Sequence, residues 1–390
     1  MLTSGNAPTP ETGDVLVSTP AALAEMAAHL SSQSSLAFDT EADSFHSYFE
    51  KTCLIQIASA QREFVVDPLA LGDLSVLGPI FASPQIEKVF HAAEYDILIL
   101  KRDYGFTFVN IFDTMVATKV LGYKRVGLSA LAQDMLGVTL DKGFQRADWS
   151  RRPLQPDLLN YARQDVRYLL RLWHMLGEQL VQKGRLAQAE EEFARLTQVT
   201  WTKRAFDPEG YKHLKEADFL DSGSRAVLRE LYLARDAEAR RRDLPVFRIM
   251  SDALLIGLSQ RRPTSALDLN RLQLPGLTPL VVSRHSAWIL AAMRRGKEAP
   301  PQPLRRVVHS GRRRDDAERE RFESLRRWRK EQADREGVEP EVVVPRQALS
   351  ALAQQPPTTM EELAATSGLG PWTVEHYGEH ILSVLNEGRT

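Results

Sequence analysis

Closely spaced carboxylates are the residues of this chain best suited to chemistry. The stretch LAFDTEADS (36–44) ends an apolar run in Asp39 and places Glu41 two residues further on. On an extended segment, residues i and i+2 point to one face, about 7 Å apart along the backbone. At a strand end that geometry suits a hard cation. Mg²⁺ in particular takes carboxylate oxygens and keeps several waters. The other reading is a solvent-exposed strand end, where D-x-E is common by chance. Two further acids bear on the choice. VFHAAEYDILIL (89–100) sets Asp96 in the first turns of a helix directly after a strand, with Ile97, Leu98, Ile99 and Leu100 to pack that helix on a sheet. NYARQDVRYLL (160–170) sets Tyr161 and Asp165 four apart, on one helix face. An acid among Leu158, Ala162 and Leu169 is costly unless something positive meets it, as a metal ion would. A Tyr hydroxyl bonded to a carboxylate within the core is the alternative for that pair. His91 reads as a core or capping histidine, and Asp113 as the N-cap of a helix.

The elements that must position these residues follow from periodicity and turn residues. SLAFDT (35–40), KTCLIQIA (51–58) and REFVVD (62–67) read as strands, as do IEKVFHA (86–92) and FTFVNIF (106–112). Helices are expected at DLSVLGPIFAS (73–83), AEYDILILKRDYG (93–105), DTMVATKVLG (113–122) and LSALAQDMLG (128–137), with a long helical region over 154–184. Strands first and alternation later indicate an α/β domain with a mixed sheet. Beyond about residue 205 the strand signals vanish and the chain repeats itself. IMSDALLIGLSQRRPTSALDL (249–269) matches VVPRQALSALAQQPPTTMEEL (343–363) at an offset of 94, each between a charged amphipathic helix and a Gly turn with a last helix. The expected division is a disordered N-terminus over 1–14, an α/β domain over 15–205, one helical domain over 206–297, a Pro- and Arg-rich linker over 298–315 and a second helical domain over 316–390.

The length of 390 residues asks for two or three domains, and 43% apolar residues is ordinary for a soluble globular chain. The N-terminus has no basic patch with an apolar core behind it, so no signal peptide is expected, and no apolar run reaches the length of a membrane span. The single cysteine, Cys53, reads as a core residue, and without a pair it fits a reducing cytoplasm. The net charge of −1 hides an uneven spread: −6 over residues 1–200, +9 over 201–350 and −4 over 351–390. A basic middle can attract a polyanion, through runs such as ARRR (239–242), RR (261–262) and GRRR (311–314), or it can be solvated helix surface.

D-x-E after a strand, an Asp following HAAEY, and Y-x-x-x-D on a later helix resemble, in order and spacing, the three exonuclease motifs of the DEDD superfamily, tyrosine subtype. GLSALAQDMLGVTLDKGFQRADWSRRPL (127–154) resembles the segment between the second and third motifs in the ribonuclease D family. The repeated tail resembles two helicase-and-RNase-D C-terminal (HRDC) domains. The likeness runs over roughly residues 15–388. It implies an α/β RNase H-like exonuclease domain followed by two all-α HRDC bundles, and hydrolysis of phosphodiester bonds from RNA 3′ ends with two divalent ions, Mg²⁺ or Mn²⁺. Under that resemblance Asp39 bridges the ions, Glu41 and Asp165 complete the site that activates water, and Asp96 holds the second ion. Tyr161, with an ordinary pKa of about 10, orients water rather than acting as the base. Thr40, Gln145 and Trp149 are candidate substrate contacts, Trp149 by stacking on a base or else as a core residue. The implied partners are RNA 3′ ends, tRNA precursors among them, in the cytoplasm and with no membrane. Two rivals stand beside this reading: a 3′–5′ DNA exonuclease, and a non-catalytic nucleic-acid-binding scaffold. The complete set of acids argues against the scaffold, and the tandem tail without a G-x-x-x-x-G-K-[ST] helicase motif favours RNA.

Overall fold

The computed structural model describes residues 16–202, 205–302 and 315–387. The proposed disordered segment 1–14 lies outside them, as do residues 303–314 of the linker with the GRRR run. The chain forms two compact units. One takes in the residues up to Ala42, Thr52–Trp201 and the second helical repeat; the other takes in Asp43–Lys51 and the first repeat.

The first unit is built on a six-stranded sheet of order β1-β4-β3-β2-β5-β6, with β1 Leu16–Val17, β2 Ser35–Ala42, β3 Thr52–Ala58, β4 Glu63–Val66, β5 Glu87–Phe90 and β6 Ile111–Asp113. Strands β2, β3 and β4 are antiparallel neighbours, while β1, β5 and β6 add in parallel, which gives the expected mixed sheet. Alternation along β2 sends Phe38 to one face with Ile55 and Ile57, where the helices Pro20–Ser31 and Glu94–Tyr104 cover it. The opposite face carries Leu54 and Val65 beneath Tyr161 and Ala162 of the helix Pro156–Arg167. The two catalytic-looking helices therefore approach β2 from opposite sides.

Local signals account for most boundaries. Asp113 caps the helix Thr114–Val120 by accepting from Met115 N and Val116 N. Gly105, with φ +67, ends the helix Glu94–Tyr104. Other expectations are corrected. The strand expected over 106–112 is confined to Ile111–Asp113, because Phe106 and Phe108 turn inward onto Phe81 at 5.1 and 4.8 Å between ring centres. The helix expected over 73–83 is a 3₁₀ turn, Ser75–Leu77, and a short helix, Gly78–Ala82. The long helical region breaks at Tyr168 into Pro156–Arg167 and Leu169–Gln182. Strand β1, the helix Pro20–Ser31 and the helix Leu186–Leu196 had no sequence reading.

The second repeat is part of this unit rather than an appendage. Its helices Asp316–Glu336, Arg346–Gln354 and Pro371–Glu387 place Leu325, Trp328, Leu349 and Tyr377 in one apolar core with Leu172, Leu176, Leu180 and Phe193 of the α/β part. Polar contacts fix the seam. Arg185 Nη2 donates to Glu336 O at 2.8 Å, Gln188 Nε2 to Val342 O at 3.1 Å, and Thr373 N to Glu191 Oε2 at 3.1 Å. Gly122, at φ +82, comes so close that a Cβ there would sit 2.5 Å from the Gly337 carbonyl oxygen.

The second unit is all helical apart from the 43–51 connection, with its core around Leu228, Leu231, Leu255, Leu258 and Ile289. Its helix Ser222–Arg242 grips that connection. Asp243 Oδ1 accepts from Tyr48 N and Phe49 N at 3.0 and 2.9 Å, the Tyr48 hydroxyl donates to Asp236 at 2.6 Å, and the Arg240 guanidinium lies over the Tyr48 ring. The basic runs are less free for phosphate than their sequence suggests: Arg240 pairs with Asp236, Arg241 and Arg242 with Glu238, and Arg262 with Asp221.

Candidate active site

The acids meet at the end of β2. One carboxylate oxygen from each of Asp39, Glu41 and Asp165 lies within 4.8 Å of the others. The first two are brought together by strand alternation, and the third by the helix Pro156–Arg167 crossing the same face. Asp96 stands beside this trio, in the first turn of the helix Glu94–Tyr104. The Thr40 hydroxyl donates to it in a short hydrogen bond. Thr40 thus spends its side chain on positioning Asp96, and any contact with a 3′ nucleotide falls to its backbone.

Crowded, desolvated acids repel one another, and their proton affinities show it. Asp39 and Glu41 are both held well above the ordinary carboxylate range, first by burial and then by neighbouring carboxylates. Burial lifts Asp165 to about 6 and Asp96 to about 7, with the charge of Asp113 adding to the lift at Asp96 and the Thr40 hydrogen bond opposing it. Such a cluster calls for positive charge. Gln56, the cross-strand partner of Asp39, supports the same conclusion: its side chain is fully buried, and neither amide atom has a partner among the described residues. A buried orphan amide costs roughly 1–3 kcal/mol. A hydrated cation between the acids would bring water within its reach, so the residues present fit a divalent ion.

Asp39 and Asp165 open onto a cleft of about 370 Å³, lined also by His91, Gly127–Ala130, Leu140–Lys142, Gln145 and Tyr161. Tyr161 is 5% exposed, its ring held edge-on by Phe144 at 5.7 Å and flanked by Trp149 at 6.1 Å. Burial first, then the nearby Asp165, Glu41 and Asp39 charges, push its pKa upward, so the hydroxyl stays protonated at neutral pH. Gln145 lies on the cleft wall. Trp149 does not: it is 1% exposed, packed with Cys53, Leu54 and Val65, and offers no ring face to a base. The stacking reading of Trp149 gives way to the core reading.

Asp113 does more than cap. Besides Met115 N and Val116 N, its carboxylate accepts from Ala92 N at 3.2 Å and Ala93 N at 2.7 Å. It thereby fixes the turn that presents Asp96, where Ala92 adopts φ +63. Asp113, Thr40 and Gln56 are the site residues whose roles sequence reasoning missed. The only signal for the first was its capping position.

Comparison with known proteins adds the family. Residues 15–181 match the 3′-5′ exonuclease family model, and residues 224–293 and 318–385 match the HRDC domain. Fold, acid cluster and matches define the class: a 3′–5′ exonuclease with two HRDC domains. Ribonuclease D of Jannaschia sp. (strain CCS1) is 30% identical over 382 residues, 95% of either chain. The exosome complex component 10 homolog of Caenorhabditis elegans is 35% identical over 312 residues, 78% of this chain and 35% of that one. The catalytic core of RRP6 from Trypanosoma brucei superposes with a TM-score of 0.69 at 29% identity, covering 76% of this chain and 83% of that one. The chain belongs to the ribonuclease D family. It spans only 29% to 39% of the length of its exosome and RRP6-type curated relatives. No helix among the described residues is long and apolar enough to cross a membrane.

Proposed function

We propose that this protein is a 3′–5′ exoribonuclease that hydrolyses RNA from its 3′ end with divalent cations, Mg²⁺ or Mn²⁺. The observation that carries the reading is the meeting of Asp39, Glu41 and Asp165 within 4.8 Å of one another, with Asp39 and Asp165 lining a cleft that Tyr161 also lines. Asp39, Glu41 and Asp165 would hold one cation, and Asp39 with Asp96 a second. Divalent ions so held supply positive charge to the attacking and leaving oxygens and lower the pKa of water. The residues of the chain do the rest. Tyr161, kept protonated, donates to and orients a water. Gln145 and the Thr40 backbone contact the terminal nucleotide. The family likeness supports structured RNA and tRNA precursors as substrates, and a cytoplasmic setting. We keep the division into 15–205, 206–297, linker 298–315 and 316–390 as the proposed domain boundaries, the HRDC domains binding rather than catalysing.

The test uses 5′-labelled 3′-extended tRNA, structured RNA and single-stranded DNA, each with Mg²⁺, Mn²⁺ or EDTA. The RNA should shorten stepwise from the 3′ end, only with a divalent ion. Asp39→Asn should abolish this while leaving the protein folded and RNA-bound. Internal cleavage, activity in EDTA, or substantial turnover by Asp39→Asn in excess Mg²⁺ would overturn the reading.

A further inference from the structure

His91 lines the cleft with Asp39, Tyr161 and Asp165, and the chemistry above gives it nothing to do. Its hydrogen bonds fix which ring nitrogen carries the proton. Nδ1 lies 2.9 Å from Thr114 Oγ1, and that hydroxyl lies 3.0 Å from the carbonyl oxygen of Phe90. A carbonyl oxygen can only accept, so the single hydroxyl proton of Thr114 goes to Phe90. Only lone pairs remain on Thr114 Oγ1 to meet His91. Nδ1 must therefore be the protonated nitrogen, and in a neutral imidazole Nε2 is then an acceptor. The ring is neutral: burial, opposed by the Asp113 charge, brings its pKa down to about 4.

The arrangement is rigid. Thr114 is fully buried, and it opens a helix whose cap, Asp113, also clamps the turn that follows His91. Nε2 has no partner among the described residues. The fold thus presets a hydrogen-bond acceptor on the wall of a cleft whose other charged groups are mostly acids.

An acceptor in that place selects an occupant that brings a donor. The phosphates of a nucleic acid bring none at neutral pH. Base amino groups differ from one nucleotide to the next, whereas every 3′ end presents sugar hydroxyls. We propose that His91 Nε2 accepts a hydrogen bond from a hydroxyl of the 3′-terminal sugar, which makes His91 a specificity-determining residue. The inference rests on the exonuclease reading and adds to it the chemical group that is recognised. If the hydroxyl is the 2′ one, this contact separates RNA from DNA.

Three oligonucleotides identical except for the last nucleotide (ribo, 2′-deoxy or 3′-deoxy) test it. The wild-type protein should prefer the ribo end over one of the deoxy ends by about tenfold or more in kcat/KM, the worth of one hydrogen bond to a preset acceptor. The arm that loses identifies the hydroxyl. His91→Phe should bring that ratio to near one. Thr114→Val, which keeps the packing but releases the tautomer, should shrink it. A ratio unaltered in His91→Phe overturns the proposal, as does a wild-type protein indifferent to both hydroxyls. Absence of 3′ shortening on all three oligonucleotides overturns the exonuclease reading itself, and this inference with it.

Discussion

Replacing Asp165 by asparagine should stabilise the cation-free protein, by an amount that grows as pH rises from about 4 to 6 and is full above that. Burial lifts the Asp165 carboxyl from 3.8 to about 6. The folded state therefore binds this proton more tightly than the unfolded chain does. The stability contributed by neutral Asp165 is fully present below its unfolded pKa and is lost as pH rises through about 6. At about 1.4 kcal/mol per pH unit, the ionised group costs the cation-free fold about 3 kcal/mol at pH 8. Asparagine has nearly the same shape and never ionises. The variant should gain about 3 kcal/mol at pH 8 in EDTA and well under ~1 kcal/mol at pH 4. For a unit of this size that is roughly 6–12 °C in Tm at pH 8. Thermal melts followed by circular dichroism in EDTA at pH 4, 6 and 8 measure it. Excess Mg²⁺ should reverse the order, because the wild-type carboxylate gains a cation and the amide gains little. A variant no more stable than wild type at pH 8 in EDTA, or one that gains equally at pH 4 and pH 8, would refute the account of the cluster as unbalanced negative charge.

Tyr161→Phe keeps the ring between Phe144 and Trp149 and removes only the hydroxyl. It should slow single-turnover hydrolysis by roughly 10²–10³, the usual loss for one transition-state hydrogen bond; an unchanged rate would leave Tyr161 as a packing residue. Gly122→Ala forces a Cβ to within 2.5 Å of the Gly337 carbonyl oxygen from a left-handed backbone. A loss of about 2–5 kcal/mol should follow in urea denaturation, from left-handed strain together with overpacking. Wild-type stability in that variant would show that the seam between the α/β part and the second HRDC domain is loose.

How much of this was legible depended on the range of the interaction. Asp39, Glu41, Tyr161 and Asp165 announce themselves because strand and helix periods place them on shared faces within a few residues. Their convergence in space rests on the sheet order, which the sequence only implied through a family likeness. The Asp113 cap was readable, being local; its hold on Ala92 and Ala93 was not, since it joins loops 20 residues apart. Gln56 read as one polar residue in an apolar strand, and only the β2–β3 register sets it opposite Asp39. The seam was the least legible part. The apolar stripe with Leu325 and Trp328 shows that a helix has a buried face, but periodicity says nothing of what covers it. The structure covers it with Leu172, Leu176 and Phe193 of the α/β part. A truncation near residue 205, which the motif order alone would leave active, therefore strips a side of the nuclease core.

That seam has a consequence for how the enzyme is made. A ribosome delivers the chain from one end, and domains close as their parts emerge. Every proposed cation ligand has been synthesised by residue 165, long before residues 315–387 that complete the same apolar core. A nascent or prematurely terminated chain thus carries the whole acid cluster on an unfinished scaffold. By sharing its core with residues 315–387, this fold makes closure of the nuclease scaffold wait for synthesis of the second helical repeat. Chains stalled near residue 300 should be protease-sensitive and inactive, and adding residues 315–387 in trans should restore both properties together.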